Sequence, residues 1–396
     1  MMGKEEATPL LRKSEVAPLE DDDAFCVELK RVGSMAAPMV AANMCQYLLQ
    51  VVSLMMVGHL GVLVSFSGVA IATSFAEVTG FCVLMGMAGA LETLCGQTYG
   101  AEEFSEIGNY TFCAIVTLLL VCLPISMLWI FVDKILLLFG QDPEISHVAH
   151  EYCIYSIPAL YGFAVLQCQI RYFQTQILKC GRLSYLHYLL GFYLIHNFKP
   201  QFFLSDFFSL NTTTLHYIIP YAVGASASTR ISNELGAGNP KAAQGIVRVI
   251  VIIGIVDGVI VSIFFVCCRH ILGYAYSNDK EVVDYVSDIV PILCGSFTAD
   301  SLIGALSGIA RGGGFQQIGA YVNLGAYYLV GVPLAFLLGF VLHFNAKGLW
   351  MGSLTGSVLQ VIILTVVTVL TDWQKEATKA RVRIVEKSIK AHNGSV

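Results

Sequence analysis

Long apolar runs broken by short polar joints set the pattern of this chain. A helix needs about 20 mostly apolar residues to cross a bilayer. By that measure the pattern predicts spans at 36–57, 66–95, 110–132 and 152–173. It predicts others at 215–227, 246–268, 283–310, 317–342 and 348–370. Pro158 sits inside the fourth span, where neighbouring helices can re-satisfy the carbonyl it frees. The joints include Gly58-His-Leu-Gly61, a polar loop at 100–109 with Glu102, Glu103 and Glu106, and a connection at 133–146. Between the two groups of spans, 177–209 is aromatic-rich and uneven. Its best apolar run, 185–198, carries His187, His196 and Asn197 and suits an interfacial or re-entrant segment.

Composition agrees with a membrane chain. Of 396 residues, 56% are hydrophobic and 13% charged, and the mean hydropathy is +0.69. Soluble domains carry roughly 25% charged residues. A net charge of -5 argues against a nucleic-acid partner. The 12 cysteines lie mostly in apolar runs without ligand spacing and read as small buried residues. No cleavable signal is visible, so the first span serves as the insertion signal. Met2 stands where myristoylation needs glycine. Lys375, Lys379, Arg381, Arg383, Lys387 and Lys390 make the C-terminal tail basic and place it in the cytoplasm. Counting back puts Lys241 and Arg311 inside, and Arg12, Lys13, Lys30 and Arg31 put the N-terminus there too. Both ends inside requires an even number of crossings, so either 177–209 crosses once or one half is misoriented.

The chain repeats itself. Met87–Ser105 echoes Thr212–Ala243: setting Gly100 on Gly236 matches Thr93 with Thr229 and Ala101 with Ala237, and puts Gln97 opposite Asn233. A second echo matches Asp142 with Asp279 and Glu144 with Glu281, and a weaker one aligns Pro158 and Gly162 with Pro291 and Gly295. The offsets of the first two, 136 and 137 residues, agree, so the halves are collinear. Repeated halves are a mark of secondary transporters. A complete six-span half needs an offset of roughly 170 to 220 residues. Two spans follow Ala310, nothing comparable follows Phe173 within the first half, and no counterpart of the first span precedes Thr212 in the second. Three spans are therefore missing, and the deletion falls inside the irregular segment.

Several motifs carry a family resemblance. They include Glu28-Leu-Lys-Arg31, Ala36-Ala-Pro-Met39, Gly58-His-Leu-Gly61 and Ser67-Gly-Val-Ala-Ile-Ala-Thr-Ser-Phe75. Others are Gly89-Ala-Leu-Glu-Thr-Leu-Cys-Gly-Gln97, Gly140-Gln-Asp-Pro143, Arg230-Ile-Ser-Asn-Glu-Leu-Gly-Ala-Gly-Asn-Pro240 and Gly348-Leu-Trp-Met-Gly352. With them, 35–176 and 211–390 resemble the MATE (multidrug and toxic compound extrusion) transporters, in particular the plant DETOXIFICATION branch. The resemblance implies an all-α, polytopic membrane protein with two six-helix lobes around a central cavity, driven by proton or sodium antiport. Here the first lobe is incomplete, with about nine to ten spans in all instead of twelve. Where the family has its fifth to seventh helices, this chain has about 33 unrelated residues, as a retained intron, alternative splicing or a wrong gene model would leave. The expected organisation is a cytoplasmic tail at 1–34, four helices of the first lobe at 35–176, the irregular segment at 177–210, five helices of the second lobe at 211–371 and a basic tail at 372–396.

Ionisable groups inside spans are functional candidates by default. Asp300 lies mid-span and matches the acidic position of the family's tenth helix, so it is the expected proton-coupling group. The other reading is a side chain that only ties helices together. The resemblance implies a glutamate partner on the seventh helix, which this chain lacks. Glu92 either contacts substrate or closes a gate, or makes a helix-end interaction at the lobe's inner face. Glu77, one turn past Thr73, is a cavity candidate. Asn43 and Gln46 share a helix face, as do Asn323 and Tyr327; both pairs either bind a polar substrate or join helices. Asp257 reads as an interhelical hydrogen-bonding residue, and His59 and His216 as structural. Arg230 and Lys241 read as topology-setting charges.

These features suggest a monomeric antiporter exporting small organic solutes across the plasma or vacuolar membrane. It would need no cofactor, with a proton gradient, rather than sodium, as driving force and the lipid bilayer as partner. A truncated, non-transporting product is the rival. An intramembrane enzyme such as a prenyltransferase would need a carboxylate pair facing the membrane, but the only Asp cluster, Asp21–Asp23, lies in the polar tail.

Overall fold

The computed structural model describes residues 21–58, 63–176, 205–272 and 280–393. Helices α1 (Asp21–Gly58), α2 (Leu63–Ala76), α3 (Cys82–Ala88), α4 (Ala90–Gly100), α5 (Phe104–Ile130), α6 (Val132–Leu138) and α7 (Pro143–Thr175) make the first group. The second holds α8 (Ser205–Gly236), α9 (Pro240–Leu272), α10 (Lys280–Gly313), α11 (Gln316–Leu324), α12 (Val332–Phe336), α13 (Asn345–Leu370) and α14 (Trp373–Asn393). Wide π-helical turns at Glu77–Phe81, Gly325–Gly331 and Leu337–Val341 join α2 to α3, α11 to α12, and α12 onward. Among the described residues there is no strand.

Seven helical stretches are long and apolar enough to cross a membrane: 67–100, 104–130, 143–175, 240–271, 287–313, 316–341 and 347–370. They correspond to seven of the nine expected spans. The other two fall within α1 and α8, which are helical throughout. Several expected joints shrink. The loop at 100–109 is only 101–103, because α5 starts at Phe104, and part of the 133–146 connection is α6. Asp142 starts α7 by accepting from the amides of Glu144 and Ile145 at 2.8 and 3.4 Å, with Pro143 at the first helical position. Its repeat partner Asp279 lies outside the described residues, as do His59 and the apolar run 185–198.

Two cores hold the fold. The first gathers Ala72, Leu84, Leu118, Trp129, Leu160 and Cys168 from α2 to α7. Trp129 closes over Gly80 and donates its indole N–H to Thr79 at 3.0 Å. The second core gathers Val223 and Ile231 of α8, Ile250 of α9, Leu306 of α10, Leu364 of α13 and Trp373 of α14. Val32 and Ala36 of α1 also join it, so α1 packs chiefly along α8. Outward positions such as Leu120, Ile260, Leu329 and Val369 are exposed and apolar, as lipid-facing residues are.

The low-hydropathy helix α8 is the centre. It is buried continuously from Ala222 to Ile231, which its small residues permit. Gly304, Gly308 and Gly312 of α10 lie against Pro220, Gly224 and Ser228 of α8. A Cβ on Gly308 would come 2.1 Å from the Gly224 carbonyl oxygen. Small residues four apart let helix backbones meet, which is how membrane helices gain packing energy without a hydrophobic drive.

Candidate functional site

The site has two parts along α8, and Tyr217 lies within electrostatic reach of both through Arg311 and Asp300. The first is where the repeated motifs cross. Glu92 of α4 is 1% exposed. Its two oxygens pair with different halves: Oε1 lies 2.8 Å from Nη1 of Arg171 on α7, and Oε2 lies 2.9 Å from Nε of Arg311 on α10. Arg171 Nη2 donates to the Tyr221 hydroxyl of α8 at 2.7 Å, and Gln174 Nε2 donates to the Ala225 carbonyl and the Thr229 hydroxyl at 3.0 and 3.2 Å. The Thr93 hydroxyl donates to the Arg311 carbonyl. A buried carboxylate flanked by two guanidinium groups is stable only while both charges are answered. This layer therefore clamps the two halves together at the end that the basic residues assign to the cytoplasm. Both expected readings of Glu92, a gate and a helix-end interaction, would use these ion pairs with Arg171 and Arg311. Arg311, expected only as an inside charge, proved to be half of the clamp, a role that lone-residue reasoning could not detect.

The termini reinforce the same end. Arg230 of α8 pairs with Glu28 of α1 through Nε and Nη2, at 2.7 and 3.0 Å, and with Glu234 at 3.2 Å. It is therefore more than a topology charge. The basic tail is a docked helix: Trp373, Ala377 and Ala380 are buried. From it Arg381 donates to the Ala237 carbonyl at 3.2 Å and Arg383 to Gln97 Oε1 at 3.0 Å. One tail helix thus touches both copies of the repeat.

The second part is a polar cluster within the second half. Asp300 on α10 is half-buried, and no described residue hydrogen-bonds it or pairs with it as an ion. It is within electrostatic reach of His216 and Tyr217 on α8 and of Tyr327 in the π turn after α11. Beside it, Asp257 of α9 accepts a hydrogen bond from Ser301 at 2.7 Å and lies 3.2 Å from His216 Nε2. His216, expected as an isolated structural residue, is thus part of a charged cluster; the signal was its position facing Asp257 across a helix contact that only the fold creates.

The remaining candidates scatter. Tyr327 donates to or accepts from Ser357 of α13 at 2.7 Å, while Asn323 is exposed. The π turn begins at Gly325, between them, and Asn323 is exposed where Tyr327 is half-buried. Glu77 is exposed at the start of its own π turn, where the Cys82 thiol lies 3.7 Å from Oε1. Asn43 is half-buried on α1; Gln46 is on the same helix, but its side chain lies outside the described residues. Gln360 of α13 is 4% exposed with Oε1 unpartnered, a buried polar group that the sequence analysis did not single out. Among the described residues no cluster could hold a metal ion.

The family model described as MatE matches residues 38–180 and 207–337. The chain belongs to the MATE transporter family. Protein DETOXIFICATION 9 of Arabidopsis thaliana is 40% identical over 480 aligned residues, covering 99% of this chain and 99% of the relative. Protein DETOXIFICATION 8 of the same plant is 42% identical over 444, covering 90% and 91%. The crystal structure of the eukaryotic MATE transporter AtDTX14 superposes with a TM-score of 0.82 at 37% identity, covering 91% of this chain and 100% of that one. Vibrio cholerae MATE transporter VcmN in the bent form shares the fold alone, at TM-score 0.65 and 12% identity, over 91% of this chain and 99% of that one. MATE proteins are multi-pass transporters and not enzymes. The first alignment is 480 positions long and this chain has 396 residues, so at least 84 positions, the difference, have no residue here. The family match is itself interrupted between 180 and 207, around the irregular segment.

Proposed function

We propose that this MATE protein is a proton-coupled antiporter that exports organic solutes by alternating access, at the plasma or vacuolar membrane. Asp300 carries the reading: an intramembrane carboxylate, half-buried, with no hydrogen-bond or ion-pair partner among the described residues. Such a group is costly in a membrane unless it faces a cavity or exchanges a proton. A carboxylate free of a fixed cation can alternate between charged and neutral forms and so couple proton movement to a change of shape. The Glu92–Arg171–Arg311 clamp supplies the second element, a closure that must open for the cavity to face the cytoplasm. The full chain in proteoliposomes with an acidic lumen tests this. It should accumulate a fluorescent organic cation such as ethidium above empty vesicles, and a protonophore should collapse the accumulation. Uptake equal to empty vesicles across organic cations, flavonoids and organic acids would sink the reading.

A second reading is favoured by the missing 84 or more alignment positions. A first lobe without its last two helices leaves its side of the cavity unclosed, so the chain would insert but not transport. That reading predicts no uptake here and full uptake when the absent stretch is restored from a relative.

A further inference from the structure

We propose that His216, Asp257 and Ser301 form a second proton-exchanging group beside Asp300, so that the proton this chain handles is shared between a carboxylate and an imidazole. The proposal deepens the antiporter reading and rests on three helices meeting at one oxygen. Asp257 Oδ2 on α9 accepts from the Ser301 hydroxyl of α10 at 2.7 Å and lies 3.2 Å from His216 Nε2 of α8. The Ser301 oxygen is also 3.3 Å from that nitrogen. The His216 side chain is only 4% exposed, and its ring stands edge-on to Phe297 with centroids 5.0 Å apart.

The hydrogen count of the ring follows from these contacts. With Asp257 ionised, Nε2 faces a carboxylate oxygen and must carry the proton between them. Nδ1 is then a bare lone pair, and it is buried with no hydrogen-bond partner. Buried polar atoms are nearly always satisfied, so an unsatisfied one calls for a reason. Here the reason is capacity: Nδ1 is the atom that can take up a further proton. The imidazolium formed would be answered by Asp257 rather than left as a lone buried charge.

The groups facing this ring are few. Asp257 comes from α9, Asp300 precedes Ser301 on α10, and Tyr217 and Tyr327 face Asp300 from α8 and the π turn. No Lys or Arg pairs with either aspartate among the described residues, so the imidazole is the base that can balance them. A proton taken from hydronium at Nδ1 breaks an O–H bond and forms an N–H bond, and it turns the negative His216–Asp257 pair neutral, so the uptake demands no counter-ion.

Proton counting tests this without requiring transport. The full chain in lipid nanodiscs is jumped from about pH 8 to about pH 5, the interval in which histidine ordinarily changes charge, and protons taken up are read with an indicator dye. H216Q should take up one proton fewer than wild type. D257N should lose the same proton, and the double variant should lose no more than H216Q alone. Equal uptake by H216Q and wild type, or deficits that add, would overturn the proposal. Should H216Q fail to fold, nitrogen-15 histidine spectra of wild type and D257N decide: one protonated imidazole fewer in D257N supports the pair, and an unchanged number refutes it. A chain that passes this test yet moves no substrate would sink the antiporter reading and leave this one standing.

Discussion

Gly100 and Gly236, the paired glycines of the two repeats, pack reciprocally across the junction of α4 and α8. A Cβ on Gly100 would lie 1.9 Å from the Asn233 carbonyl oxygen, and one on Gly236 would lie 2.0 Å from the Gln97 carbonyl oxygen. Gln97 and Asn233 are themselves repeat partners, so the motif forms its own interface. Backbone cannot yield as a flexible side chain can, and overpacking costs roughly 1–3 kcal/mol. Gly100→Ala or Gly236→Ala should lower the unfolding temperature of purified protein, whereas Gly108→Ala, with nothing within 4 Å of the added carbon, should not lower it.

The same symmetry exposes an imperfect copy. Gly238, just past the end of α8, takes φ +75°, with the Asn239 amide reaching Glu234 O at 2.8 Å. At the matching place Glu102 takes φ 65° and the Glu103 amide reaches Thr98 O at 3.1 Å. Both are helix ends of the kind glycine favours. A side chain in this left-handed region costs roughly 1–2 kcal/mol, partly offset by the unfolded-chain entropy of glycine. Glu102→Gly should therefore raise thermal stability slightly, while Gly238→Ala should lower it because the new carbon also meets the Arg381 guanidinium.

Glu92→Gln leaves Arg171 and Arg311 facing a neutral amide in a buried layer. Removing one partner of a buried pair costs about 3–5 kcal/mol, and here the loss falls on the closed state. Ser232, fully buried against Gly96, reports on closure. Ser232→Cys should react with a maleimide in the Glu92→Gln background and stay protected with Glu92 intact.

Much of this was legible in the chain. Seven of the spans followed from the apolar period, and the spacing of Gly100, Gly236, Asp142 and Asp279 pointed to the stretch where the family match is interrupted. Asp300 and Glu92 stood out because charge in an apolar run is rare. Their partners did not stand out. Arg311 lies 219 positions from Glu92 and Asp257 lies 41 from His216, and only the crossing of helices brings them together. The π turn between Asn323 and Tyr327 also left no sequence signal.

Arg230→Ala should release the start of α1. Its bidentate contact with Glu28 ties that polar entry to α8, where sequence alone showed a tail. Limited proteolysis should cut near Arg31 in the variant while the wild type resists.

Asp300→Asn tests the central claim most directly. It keeps the side chain's shape and removes the exchangeable proton. In proteoliposomes with an acidic lumen, the account predicts that wild type accumulates substrate and that Asp300→Asn, equally folded and equally inserted, accumulates no more than empty vesicles. Gradient-driven accumulation by Asp300→Asn at the wild-type rate would contradict it.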